Sequence, residues 1–177
     1  MITYRFSPIK NKEELFKAIE HVHFECYKLC KQTFGHYLQN AGNIGIFCHY
    51  DEEYDRVTKL RQEMTESTDN WNQKYFRLHK RIVIPAQGGV PETTYTYLYI
   101  RKPDPNHSHV GDADFYLEPK KYKKLKESLL AGKKIIGAGV FERPDLDLIR
   151  LSDPNSDVSA FVGSKTMAEN VNASSQT

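Results

Sequence analysis

The chain predicts an α+β fold, a mostly antiparallel sheet with three helices packed on it. Three observations carry this. Stretches rich in β-branched and aromatic residues, such as Tyr75–Ile84 and Thr94–Arg101, recur along the chain and end at Pro and Gly. Other stretches repeat apolar residues at three- and four-residue steps instead, the period of an amphipathic helix. The predicted order is β-α-β-α followed by β-β-β-α-β-β-β. Strands in such runs pair with their neighbours through short turns and collect their helices on one face.

Ile2–Ile9 reads as a short strand ending at Pro8. Asn11 is an N-cap, with Glu13 and Glu14 in the first turn, for a helix running to about Thr33. Its inward stripe is Leu15, Ile19, Val22, Cys26 and Leu29, and Gly35 suits its C-terminus. Gly42-Asn43 reads as a turn and Ile44–Tyr50 as a buried strand. Asp51 caps a second helix, Glu52 to about Glu66. Tyr75–Ile84 and Thr94–Arg101 form a hairpin through Gln87-Gly88-Gly89, and Val110–Leu117 adds a third strand. Glu118–Ala131 is the third helix, with Tyr122, Leu125 and Leu129 inward and Lys120, Lys121, Lys123, Lys124 and Lys126 on a solvated arc. Lys134–Phe141, Leu146–Leu151 and Val158–Val162 close the sheet, turning at Pro144-Asp145 and at Asp153-Pro154-Asn155. Residues 1–163 read as one domain. Residues 164–177, rich in Ser, Asn, Ala and Gln, read as a flexible tail.

At 177 residues the chain buries roughly two-thirds of its unfolded surface, enough for a core without a disulfide or structural metal. Lys and Arg number 25 against 23 Asp and Glu, a balance that excludes a dedicated duplex-DNA binder. Eleven tyrosines and nine phenylalanines supply core material and exclude wholesale disorder. No apolar run reaches the length of a membrane span, and MITYRFSPIKNKEEL has no apolar core of secretory type. The cysteines number three, without paired spacing, and read as thiols in a reducing cytoplasm.

Residues 109–162, HVGDADFYLEPKKYKKLKESLLAGKKIIGAGVFERPDLDLIRLSDPNSDVSAFV, have a His opening the first strand, a helix, and an Asp-Pro turn before the last strand. In this they resemble one βαβββ module of the vicinal oxygen chelate superfamily. The resemblance implies a metal-ligand histidine early in the first strand, where His109 stands, and a glutamate in the last strand, where this chain has Ala160. It therefore implies the fold of a member that binds a ligand without the usual metal site.

The candidate site lies between Thr93 and Leu117. Alternation along a strand sends every second side chain to the same face. On that rule Tyr95, Tyr97, Tyr99 and Arg101 line one surface, and Asp112 and Asp114 share another aimed into the same hollow. Tyrosines offer apolar contact with a polar tip, and arginine a rigid fork for anions. His107 and His109 stand in the loop between the strands, after Pro103 and Pro105. With Asp114 they have the donor chemistry of a divalent-metal site in which Asp112 serves as base; the ordinary reading is a solvated loop. Arg77, His79 and Arg81 alternate with the aromatic and apolar residues of 75–81, an arrangement that stacks bases and neutralises phosphates in RNA-binding sheets. His23, Cys26 and Cys30 with Cys48 and His49 hold soft ligands suited to zinc, although Cys26 also continues the core stripe. The function read from these residues is that of a small cytoplasmic binding protein, holding a small molecule or a macromolecular partner on a tyrosine-lined sheet. A metal-dependent enzyme and an RNA- or nucleotide-binding module are the alternatives. A homodimer would form through open strand edges.

Overall fold

The computed structural model describes residues 4–143 and 146–174. Among them the chain forms four helices and one seven-stranded sheet, in the order α1 (Lys12–Phe34), β1 (Gln39–Phe47), α2 (Asp51–Met64), β2 (Tyr75–Ile84), β3 (Thr93–Arg101), β4 (Gly111–Tyr116), α3 (Pro119–Leu130), β5 (Ala138–Arg143), β6 (Leu146–Leu151), β7 (Val158–Gly163) and α4 (Met167–Ser174). The turn expected at Pro144-Asp145 and the start of the strand expected at Ile2–Ile9 lie outside the described residues. From Tyr4 to Ile9 the backbone is turn and coil, not strand.

Across the sheet the strands run β2-β3-β1-β4-β7-β6-β5. This corrects the expected mostly antiparallel sheet with three helices. β1 pairs with β3 in parallel, and so does β4 with β7, while the other neighbours are antiparallel. The reason is local to each helix. α2 and α3 each carry the chain away from a strand, and a later hairpin strand returns beside that strand in the same direction. Two units result, β1-α2-β2-β3 and β4-α3-β5-β6-β7, joined where β1 and β4 meet antiparallel. The second is a βαβββ unit whose first and last strands pair, the connectivity implied for residues 109–162.

α1 follows from its caps and its stripe. The Asn11 carboxamide accepts from Glu14 N, and Gly35 closes the helix with φ of 77°. Leu15, Ile19, Val22, Cys26 and Leu29 are all buried against one side of the sheet, here called the front face. Ile44, Ile46, Leu98, Ile100, Ala113, Phe115, Val158, Ala160 and Val162 complete that core. Glu53, 1% exposed, ties α2 to it by accepting from Ile9 N and His49 N. Within the stretch read as a tail, α4 packs Met167 and Val171 on Ala41, Tyr75, Tyr97 and Tyr116. Those residues lie on the opposite side of the sheet, here called the back face, so α4 covers one end of it.

Candidate functional site

Strand pairing sets out the back face as a grid. One row reads Tyr75, Tyr99, Gly45, Asp112, Ser159, and the next Arg77, Tyr97, Asn43. Asp114, Phe161 and Arg150 form a third line across β4, β7 and β6. The Asn43 side-chain amide donates to Asp114 Oδ2 at 2.8 Å, linking the second and third lines. A wall of rings runs beside them. Tyr75 and Tyr99 lie 5.3 Å apart, Phe47 lies 6.5 Å from Tyr99, and the Arg101 guanidinium stacks 3.6 Å from the Phe47 centroid.

Gly45 makes room at the centre. A Cβ there would stand 2.2 Å from Asp112 Oδ1 and 3.3 Å from the Phe47 ring, so only glycine lets the Asp112 carboxyl lie across β1. Gly111 does the same on the front, where a Cβ would stand 2.6 Å from Val22. Strand alternation then aims Asp112 and Asp114 backward while Ala113 and Phe115 enter the core.

Both carboxyls are hard to ionise there. Burial, then the neighbouring Asp114 charge, pushes Asp112 well above the usual carboxylate range, against the pull of Arg101. Burial pushes Asp114 up to about 6, offset by the hydrogen bond from Asn43. Burial, followed by these carboxyls, also holds the Tyr75 phenol well above its ordinary value. The face thus sets phenol hydroxyls and two carboxyls of raised pKa beside guanidinium groups. Several of its buried polar atoms find no hydrogen-bond partner among the described residues: Asn43 Oδ1, Asp112 Oδ1, Nε and Nη2 of Arg101, and Nε of Arg150. Buried polar groups are nearly always paired, so a cluster of unpaired ones marks a place built for something else.

The residues predicted from sequence divide between several places. Tyr97, Tyr99, Arg101, Asp112 and Asp114 do share one face. Tyr95 does not. It is fully buried on the front, where its hydroxyl bonds His23 Nδ1 at 2.9 Å. The reason is a break in alternation, since the β2–β3 register shifts between the Arg77–Tyr97 and Ile82–Tyr95 pairs. His107 stays in an exposed loop, 2.6 Å from Asp104. His109 is half-buried before β4, and its carbonyl lies 3.1 Å from His49 Nε2. Among the described residues no group of three His, Cys, Asp or Glu side chains is arranged to hold a metal ion. Ala160, where the resemblance would place a glutamate, is buried in the front core, and its back-facing neighbours are Ser159 and Phe161. Arg77 is exposed, 3.9 Å from Glu66. His79 and Arg81 line a separate cavity of about 620 Å³ between the β2 edge and helices α1 and α2, away from the tyrosines.

Cys26, Cys30 and Cys48 are each 0% exposed and free. The Cys26 thiol donates to Ser159 O at 3.3 Å, and Leu38 N donates to Cys30 Sγ at 3.2 Å. Burial raises the pKa of all three, Cys30 to about 11, and keeps them as thiols. Sequence reasoning missed Asn43, Gly45 and Arg150. Gly42-Asn43 read as a turn because Gly and Asn favour turns, yet both lie inside β1, with Gly42 at φ of 82°. A polar residue within an otherwise apolar strand, as at Asn43, was the available clue.

The fold and the back face define an α+β protein with a polar cluster buried on its sheet. A solved structure titled Structural Genomics, Protein EC4020 has this fold, with a TM-score of 0.57 and 15% identity over 98% of each chain. Two variants of Streptomyces coelicolor methylmalonyl-CoA epimerase, each in complex with 2-nitronate-propionyl-CoA, align with a TM-score of 0.31 and 15% identity over 71% of this chain and 98% of theirs. No family model matches the chain, and no curated protein matches it in sequence.

Proposed function

We propose that this chain is a binding protein that takes a small polar molecule on the back face of its sheet. The observation that carries this is the presence on one face of unpaired buried polar atoms from Asn43, Asp112 and Arg101, with Arg150 on the same face. Each such atom costs roughly 1–3 kcal/mol when left unmade, and a fold tolerates several together where a ligand supplies the partners. Tyr75, Tyr99 and Phe47 give that ligand an apolar wall, and Gly45 lets the Asp112 carboxyl lie across β1 beside it. α4 closes the end at Tyr97 and Ala41.

Thermal melting against a panel of small polar organic molecules, nucleotides and divalent metals tests it. A ligand at a hundred times its Kd contributes about 2.7 kcal/mol. For a domain of this size that is a rise of roughly 5–10 °C. The expected result is such a rise with an organic molecule, abolished by Asn43→Ala. If no organic member moves the midpoint, or if Asn43→Ala responds like the natural chain, the reading is wrong. A rise with a metal alone favours the metal-dependent alternative instead.

The carboxyl pair supports a second reading, proton transfer. Burial raises both Asp112 and Asp114, so one carboxyl of the pair can serve as acid and the other as base. A turnover that disappears in Asp114→Asn, with binding kept, is the expected outcome on this reading.

A further inference from the structure

The cationic end of the back face has chemistry of its own. Arg101 stacks on Phe47, its guanidinium carbon 3.6 Å from the ring centroid. Stacking fixes the plane of the guanidinium and leaves its edges to make hydrogen bonds. The Nε and Nη2 hydrogens lie on the same edge and point in parallel, at the spacing of two oxygens of a carboxylate or phosphate. Those two nitrogens are buried, and no described residue accepts from either. Arg150 Nε is in the same condition. Neither guanidinium takes part in an ion pair among the described residues.

Burial, then Arg150, His107 and Arg101, disfavours protonation of His109. The carboxyls whose charge acts on Arg101 are Asp112, itself raised by burial, and Asp104, and neither forms an ion pair with it. The stacked guanidinium therefore presents a buried, paired edge of donors with no counter-charge in contact among the described residues.

Building on the ligand-binding reading, we infer that this end is an oxyanion subsite. Arg101 Nε and Nη2 receive the carboxylate or phosphate of a small organic acid. Its uncharged part lies against the Tyr75–Tyr99 pair.

The arginine Nε–Hε signals of the ¹⁵N-labelled protein read this directly. Three probes are titrated at constant ionic strength set with chloride: malonate, its neutral diamide malonamide, and inorganic phosphate. The expected result is a saturable shift of the Arg101 signal with malonate or phosphate and none with malonamide. The tighter of the two anions identifies the group as carboxylate or phosphate. Arg101→Gln should weaken that anion at least tenfold, and Arg101→Lys should weaken it nearly as much, because a point charge lacks the paired edge. Malonamide shifting the Asn43 and Tyr99 amides while malonate leaves the arginine signals still would overturn the subsite and leave the ligand-binding reading standing. Arginine signals that follow no probe beyond the chloride control also overturn it, whatever the melting panel gives. Because the main readout is the natural chain, a variant that fails to fold does not rescue the proposal.

Discussion

Gly45 is where a single methyl group tests the site most directly. In Gly45→Ala the new Cβ falls 2.2 Å from Asp112 Oδ1, so the carboxyl must swing away from β1. The expected cost is about 1–3 kcal/mol of stability. Ligand-induced stabilisation should be lost while the circular dichroism spectrum stays native; an alanine variant that responds to ligand like the natural chain would show that Asp112 does not need that space. Asp114 gives a test in pH. Its folded pKa, about 6 against an ordinary 3.8, is raised. Its contribution is therefore fully present below the ordinary value and is lost as pH rises through 6. His23 works the other way. Its pKa is lowered by burial from 6.5 to about 4, so its contribution is lost as pH falls through that window, and His49 and His109 are lowered too. Asp112 is raised with Asp114 and adds to the opposing trend. Asp114→Asn should remove part of the acid-side compensation. Urea midpoints measured between pH 6.5 and 4 should then fall more steeply in the variant than in the natural chain, and parallel curves would contradict the raised Asp114 pKa.

At the scale of elements, the first three helices and the β2 strand were legible. α1 came from its cap and stripe to within a residue, and Tyr75–Ile84 came from its β-branched and aromatic content. What could not be read was the break in β3 that sends Tyr95 forward and Tyr97 backward. That break depends on contacts far along the chain, including the bridge of Thr65 to Leu78 and the Glu66 N–H donated to Arg77 O. α4 was equally hard to see. Its Ser, Asn and Ala composition suggests a frayed end, and its helix rests on Met167 and Val171 finding Tyr97, Tyr75 and Tyr116 beneath them. Ending the chain at Ser164 uncovers Tyr97 and Ala41, and should cost about 1–3 kcal/mol by loss of apolar burial. Guanidinium unfolding of the shortened chain measures it, and an unchanged midpoint would mean that α4 does not hold the back face.

At the scale of the molecule, the three thiols report on the integrity of the front core. Each is 0% exposed, on α1 or just after β1, so a reagent reaches them only when the sheet and α1 separate. Ellman's reagent should leave the native protein unlabelled over minutes and react with all three cysteines in denaturant. Rapid labelling in native buffer would show that α1 opens locally. Among the described residues no helix is long and apolar enough to cross a membrane.

The sequence by itself determined where the first three helices and most strands lie, because caps, periodicity and turn residues act over a few positions. It also placed Tyr97, Tyr99 and Arg101 on one side of β3 and Asp112 and Asp114 on one side of β4, since alternation within each strand is local. Only the tertiary structure decided that the sheet is mixed, that Tyr95 belongs to the core, that α4 forms, and that Asn43 and Gly45 meet the two aspartates. Strand partners are chosen by packing between segments distant in the chain. A residue's acidity and its unpaired donors depend on which partners those turn out to be.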